Sequence, residues 1–307
     1  MDKRKQAKRK RREAEVKFSK LIHEYVSKHK GSRLDVETFG ELLGYGRLTN
    51  TMPASNLPLR RKGAKFLGTA LEQLRKDEPE LSFQFWTLIH TRGHTSDREP
   101  KIDLAFFRSA TDKTFRRLGL NAIYVIELQG LGNHPQKGEG RMIMVHVHAI
   151  TWLEGELNFN SATAEIAKSK VWQNDLGAEP VCVCSVQPRE GELEYLAYYL
   201  LKPPYEVKML EERERGPRLK GSEKGYRPEF AARILECLSQ IELKELVRST
   251  NGGKVIRREW DRRLTFWHRS RRKWSKGQIP LSFYQDLWQR FRSKKRRCYY
   301  APFTIQH

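Results

Sequence analysis

The runs NAIYVIELQ at residues 121–129 and RMIMVHVHAITWL at 141–153 decide the fold. Both are dense in β-branched and aromatic side chains, and the glycine-rich stretch QGLGNHPQKGEGR (129–141) between them reads as an exposed hairpin-like connection. Working outward, SFQFWTLIHT (82–91) and EPVCVCSVQP (179–188) carry the same signature and predict two further strands. SATDKTFRRLG (109–119) and NSATAEIAKSKVW (160–172) have capping residues and helical spacing, so helices alternate with the strands. GELEYLAYYLLKPP (191–204) predicts a helix halted by Pro203 and Pro204. Residues 13–30 and 66–77 also read as helices, with a loop at 44–63 between them, and 228–248 as an amphipathic helix ended by Asn251 and Gly252. No internal repeat is present. The expected architecture is α+β, a central, mostly antiparallel sheet with flanking helices and helical basic extensions at both ends. Its expected parts are a basic helical region (1–78), the sheet domain (79–204), a linker (205–227) and a basic, aromatic-rich helical region (228–307).

Charge is distributed unevenly along the 307 residues. The formal net charge is +22; residues 1–30 hold twelve Lys or Arg against four acids, and residues 254–297 hold sixteen against three. The termini therefore carry nearly all the excess, and a concentrated positive surface attracts polyanions, nucleic acid above all. In the C-terminal run aromatics are threaded among the cations, which fits a folded module with some rings in a small core and others free to stack on bases. Arg262, Arg263, Trp267, Arg269, Arg271, Arg272, Lys273 and Trp274 are its candidate DNA contacts. No apolar run reaches the length of a membrane span, and the basic start MDKRKQAKRKRREAE is not followed by the apolar core of a secretory signal. Cys182, Cys184, Cys237 and Cys298 lack paired C-x-x-C spacing, so neither a zinc ribbon nor a disulfide framework is expected, and a reducing cytoplasm fits best. Cys182 and Cys184 share a strand face and read as small core residues.

His146 and His148 lie two apart on one strand and so point to one side, able to share a metal ion or simply to satisfy each other through hydrogen bonds. The preceding strand ends in Ile126-Glu127-Leu128-Gln129, and hairpin pairing brings the Glu127 carboxylate beside them as a third, hard donor. Downstream, Tyr195 and Tyr199 stack one helical turn apart with Lys202 three residues further on. A phenol near a metal-bound phosphate is a potential nucleophile and a nearby ammonium stabilises the phenolate; equally, such a face can bury aromatics with their hydroxyls hydrogen-bonded. His90, His94 and His134 read as surface or loop histidines.

These motifs resemble the HUH endonucleases, in particular the Rep proteins that initiate rolling-circle DNA replication. The resemblance spans residues 82–204: Phe85-Trp86-Thr87-Leu88 for the apolar-Thr-Leu motif, Glu127 before the His146-Val147-His148 pair, and a later Y-x-x-x-Y-x-x-K helix. The order, histidines before tyrosines, is that of Reps rather than conjugative relaxases. It is closest to the two-tyrosine phage pattern, although Tyr198 stands where that pattern has a lysine, which makes Tyr199 the first choice of nucleophile and Tyr195 a second one or its neighbour. The resemblance implies that His146, His148 and Glu127 hold Mg²⁺ or Mn²⁺, and that Tyr199 attacks single-stranded DNA to leave a 5′-phosphotyrosine and a free 3′-OH. It further implies binding to origin duplex or hairpin DNA, reliance on a host helicase and polymerase, and no contact with membrane. No G-x-x-x-x-G-K-[S/T] loop occurs in the chain. A transposase of the same superfamily shares these motifs, and a non-catalytic nucleic-acid-binding protein with the histidines and tyrosines in its core is the alternative from another class.

Overall fold

The computed structural model describes residues 3–28, 40–45, 48–133, 140–203, 207–211, 218–221, 226–273, 278–279 and 304–306. Trp274, His134 and Cys298 lie outside them, as do the side chains of Arg272 and Lys273. In chain order the elements are α1 (Lys3–Lys28), β1 (Leu48–Thr49), α2 (Leu57–Asp77), β2 (Leu81–Ser96), β3 (Lys101–Asp103), α3 (Leu104–Arg117), β4 (Asn121–Leu131), β5 (Met142–Glu154), α4 (Phe159–Lys168) and β6 (Val181–Ser185). There follow α5 (Glu192–Leu200), β7 (Lys208–Glu211), β8 (Arg218–Gly221), α6 (Pro228–Ser239), α7 (Leu243–Leu246), β9 (Val247–Thr250), α8 (Gly253–Lys273), β10 (Gln278–Ile279) and β11 (Thr304–Gln306). No described helix is long and apolar enough to cross a membrane.

The protein is α+β. Its central sheet has the order β6-β2-β5-β4-β7-β8, and β9 also pairs with β4. The long ladders β2–β5, β4–β5 and β2–β6 are antiparallel, as expected; β7 joins β4 in parallel, at Leu131 and Lys208, which makes the sheet mixed. β4 and β5 are buried almost end to end because helices cover the face that a half-exposed hairpin would leave to water. That is why their sequences read as continuous apolar runs. β2 slips register between Ile89 and His94, and Gly93 sits in this irregularity against the Val145 backbone, where a Cβ would come within 2.2 Å of the carbonyl oxygen.

Four expectations are corrected; one is the single helix at 228–248, which is α6 and α7 followed by the strand β9 on β4. The presumed linker 205–227 contains the β7–β8 hairpin, which extends the sheet beyond β4; its strands are short and half charged, with Met209 packed on the main core and Leu210 and Leu219 on the small cluster of Ile89, Leu131, Met144 and Leu176. Helix α2 starts at Leu57, well inside the expected loop, because Asn56 caps it by accepting from the Leu59 amide and Pro58 is tolerated in a first turn. Cys182 and Cys184 are exposed on the edge strand β6, and only Cys237 of the described cysteines is buried. One hydrophobic cluster runs from Phe18 in α1 to Leu264 in α8, so the described helices of the two basic stretches share the core of the sheet.

Glycines permit the closest helix contacts. At Gly68 the backbone of α2 meets that of α5, and at Gly63 it meets Trp260 of α8, whose indole N–H donates to the Gly63 carbonyl at 2.9 Å. At Gly253, the first residue of α8, a Cβ would lie 2.0 Å from the Ala122 carbonyl oxygen on β4. Rigid backbone cannot give way as a flexible side chain can, so Gly253→Ala is expected to lower the unfolding free energy by about 2–3 kcal/mol. Gly221→Ala, with open space around its Cβ, should stay within about 0.5 kcal/mol of the parent. Urea titrations followed by tryptophan fluorescence measure both.

Candidate metal centre

Strand pairing assembles the centre. Glu127 stands directly across from His146 in the β4–β5 ladder, and Val125 across from His148, so the carboxylate and both imidazoles leave the same face. Their donor atoms converge: His146 Nε2 and His148 Nε2 are 3.1 Å apart, and Glu127 Oε2 is 3.5 and 3.2 Å from them. Donors that share one ion at about 2.0–2.1 Å must themselves stand about 3.0–3.4 Å apart, the edges of an octahedron or a tetrahedron. The triangle has that size. All three side chains are buried, and neither oxygen of Glu127 has a hydrogen bond of proper geometry. A buried, unsatisfied carboxylate facing two imidazole nitrogens fits a cation, and this is the group among the described residues that could hold a metal ion.

The electrostatics agree with a ligand set. Burial alone would raise the Glu127 pKa, but the Lys202 charge, 3.8 Å from Oε1, and the two histidine side chains hold it well below the usual range, so it stays a carboxylate. Burial lowers His148 from the ordinary 6.5 to about 4, with the Glu127 carboxylate opposing and the neighbouring His146 and Lys202 charges assisting, so its ring is neutral at physiological pH, as a ligand must be. Its Nδ1 is 3.0 Å from Thr87 Oγ1, and Thr87 lies opposite His148 in the β2–β5 ladder. When that contact is Nδ1–H donating to the hydroxyl, Nε2 is left with its lone pair toward Glu127. Phe85, two residues before Thr87, stacks on the His148 ring at 5.3 Å.

Helix α5 brings the tyrosine side. Gly191, in the left-handed conformation at φ 79°, opens the helix, and Leu193, Ala197 and Leu200 bury its inner face. Tyr199 meets both Phe85 and His148 edge-on, at centroid separations of 5.5 and 5.2 Å. Lys202 lies just past the helix end with its ammonium 3.8 Å above the Tyr199 ring, placed between the phenol and Glu127. Five of the predicted residues, Glu127, His146, His148, Tyr199 and Lys202, thus form one cluster. Tyr195 is half-buried one turn earlier on the same helix.

Two contributors were not legible as such. Thr87 belonged to a recognised motif without a role. Arg60, in a basic stretch read as loop, is buried in α2, where its guanidinium donates to the Ala54 carbonyl and, at 3.0 Å, to the carbonyl of Lys202, fixing the turn that carries the ammonium. No local pattern announces a contact across 142 residues. Of the other histidines, His90 accepts the Arg92 amide and packs on Phe106, and His94 pairs with Asp175 at 3.1 Å.

Of the candidate DNA contacts, all but Trp274 lie on α8. Arg262, Arg263 and Arg269 are exposed, the first two both paired to Glu259. Trp267 is partly buried against the core with Lys62 and Arg271 over its ring, and Arg271 reaches the Gly44 carbonyl at 3.4 Å. No protein-family model, curated protein or solved structure matches the chain.

Two outcomes are expected. Mn²⁺ binding, titrated by electron paramagnetic resonance, should be lost in Glu127→Gln and in His146→Ala, and weakened about tenfold in Thr87→Val. Without metal, acid should destabilise the fold before the carboxylates titrate: between about pH 4 and 6.5 the unfolded chain holds a proton on His148 that the folded chain does not, so stability rises with pH across that window. The gain is on the order of 2–3 kcal/mol. Urea midpoints in EDTA at a series of pH values should show this slope in the parent and a flatter one in His148→Asn.

Proposed function

We propose that the protein is a metal-dependent DNA nicking and joining enzyme acting through Tyr199, of the kind that initiates rolling-circle replication. The observation that supports it best is the position of Tyr199 and Lys202, which lie against the Glu127–His146–His148 triangle rather than elsewhere on the sheet. In a non-catalytic binding protein the same side chains would serve only as satisfied core groups; the Glu127 oxygens without hydrogen bonds favour a bound cation instead. Reading the arrangement as a resemblance to HUH endonucleases accounts for each of these residue types.

The residues then divide the work. Glu127, His146 and His148 hold the ion; two nitrogens and one oxygen suit Mn²⁺ and tolerate Mg²⁺. A divalent ion there supplies Lewis-acid polarisation of a phosphate oxygen in single-stranded DNA. Thr87 and Phe85 keep the His148 ring in its ligating orientation. The Tyr199 oxygen attacks phosphorus: the Oη–P bond forms, the P–O3′ bond breaks, the phenolic proton passes to solvent, and the departing 3′ oxygen takes up a proton. Lys202 stabilises both the phenolate and the negative charge that builds on the phosphoryl group. Because phosphodiester energy is kept in the tyrosyl phosphate, an incoming 3′-OH reverses the reaction without ATP. Strand separation and synthesis fall to a helicase and a polymerase of the host.

The test is covalent trapping. A labelled single-stranded oligonucleotide incubated with the protein and Mn²⁺ should give an SDS-resistant adduct that disappears with EDTA and in Tyr199→Phe, and persists in Cys184→Ser. An adduct that survives Tyr199→Phe but not Tyr195→Phe would reassign the nucleophile; survival of both substitutions together would end the tyrosine mechanism.

A further inference from the structure

Away from the metal centre, α3, β9 and the first two turns of α8 enclose an open cavity of about 280 Å³. Five cations line it, Arg116, Arg248, Lys254, Arg257 and Arg258, with Asp112 as the single carboxylate. Asp112 is already engaged, accepting the Tyr124 hydroxyl at 2.8 Å and standing 3.7 Å from Arg116, so four net positive charges remain around the space. Among the described residues none of Arg248, Lys254 and Arg258 has a carboxylate partner. Arg257 is held rigidly, its guanidinium donating to the Val247 and Lys244 carbonyls at 2.8 and 2.9 Å. Its pKa is lowered, first by burial and then by the charge of Arg248 against the help of Asp261, and Arg248 depresses Arg108 in the same way. Like charges crowded this closely cost stability that a bound anion would return. The amino end of α8 adds its partial positive charge to the same wall.

The cavity is also the foot of a ladder. Lys254, Arg258, Arg262 and Phe266 recur every fourth residue of α8, each rung rising about 6 Å, and all are exposed, with Arg269 beyond them. Phe266 is 73% exposed in the middle of this basic face, while the adjacent Trp267 turns to the core. Among the described residues, no packing accounts for a large apolar ring held out among guanidinium groups. A base stacking on it does. The ion pairs of Arg262 and Arg263 with Glu259 are surface pairs, which phosphate oxygens can replace at little cost.

We infer that this cavity seats a backbone phosphate of nucleic acid and that the strand continues along α8, with one base stacked on Phe266. The inference rests on the nucleic-acid reading of the substrate but not on the nicking chemistry, because it needs neither metal nor Tyr199. The experiment measures binding of a fluorescein-labelled single-stranded 20-mer by anisotropy in EDTA across a range of salt concentrations. R248Q/K254Q/R258Q should bind at least tenfold more weakly at moderate salt, with a slope of log K against log salt shallower by about two units. Phe266→Ala should lose about fivefold or more with the slope unchanged. Thermal unfolding should show both variants folded, since each change is at a solvated side chain. Unchanged affinity and slope in the triple variant would overturn the proposal. So would loss of binding to inorganic phosphate alone, with DNA binding intact, which would make the cavity a small-anion site, and so would poly-glutamate bound as tightly as the oligonucleotide. Normal DNA binding without any covalent adduct would instead remove the nicking chemistry and leave this surface standing.

Discussion

Everything at the candidate metal centre depends on one register, Glu127 against His146 in the β4–β5 ladder. A single-residue slip would turn the carboxylate or the imidazoles to the opposite face and bury a charge among Val145, Val147 and Ile126, where nothing could compensate it. The register is protected by the depth of burial of both strands, since the same slip would displace every apolar side chain of the hairpin. Burial makes the carboxylate costly, and the cost is met by Lys202 from another part of the chain. That ammonium is in reach because α5 stops just before Pro203 and because Arg60 in α2 holds the carbonyl of Lys202.

The helices around the sheet therefore do more than cover it. α2 approaches α5 through Gly68 and α8 through Gly63, so the element that positions the ammonium also anchors the basic C-terminal helix. α8 in turn begins on β4, where Gly253 lies against Ala122, and buries Trp260 and Leu264 while turning its arginines outward. This packing separates two groups of side chains: the Glu127–His146–His148 cluster sits within the hydrophobic framework, and the exposed cations of α8 lie on its outside.

Much of this was legible in the residues because the signals are short-range. β-branched and aromatic runs locate four strands, i to i+2 geometry pairs the histidines, hairpin pairing brings Glu127 to them, and helical spacing places Tyr199 beside Lys202. The β7–β8 hairpin was not legible, since each strand is only four residues long and its few apolar side chains find their partners on distant strands. Nor was the outward turn of Phe266 and the inward turn of Trp267, adjacent aromatics whose fates differ only because α8 presses one side against α2 and the core. Cys182 and Cys184 mislead for a related reason: a strand sequence does not say whether its strand ends up at the centre or at the edge of the sheet.

By itself the sequence determined the periodicities, and with them the α+β class, the face shared by His146 and His148, and the concentration of positive charge at the two ends. Tertiary structure alone decided that α1 and α8 belong to the core, that Arg60 holds the Lys202 carbonyl and Thr87 the His148 ring, and that five cations from α3, β9 and α8 surround one cavity. The physical reason is range. Local patterns are set by backbone geometry over a few residues, whereas the contact between Arg60 and Lys202, or the placing of Arg116 and Arg258 around one cavity, exists only after the sheet has fixed where the helices can lie.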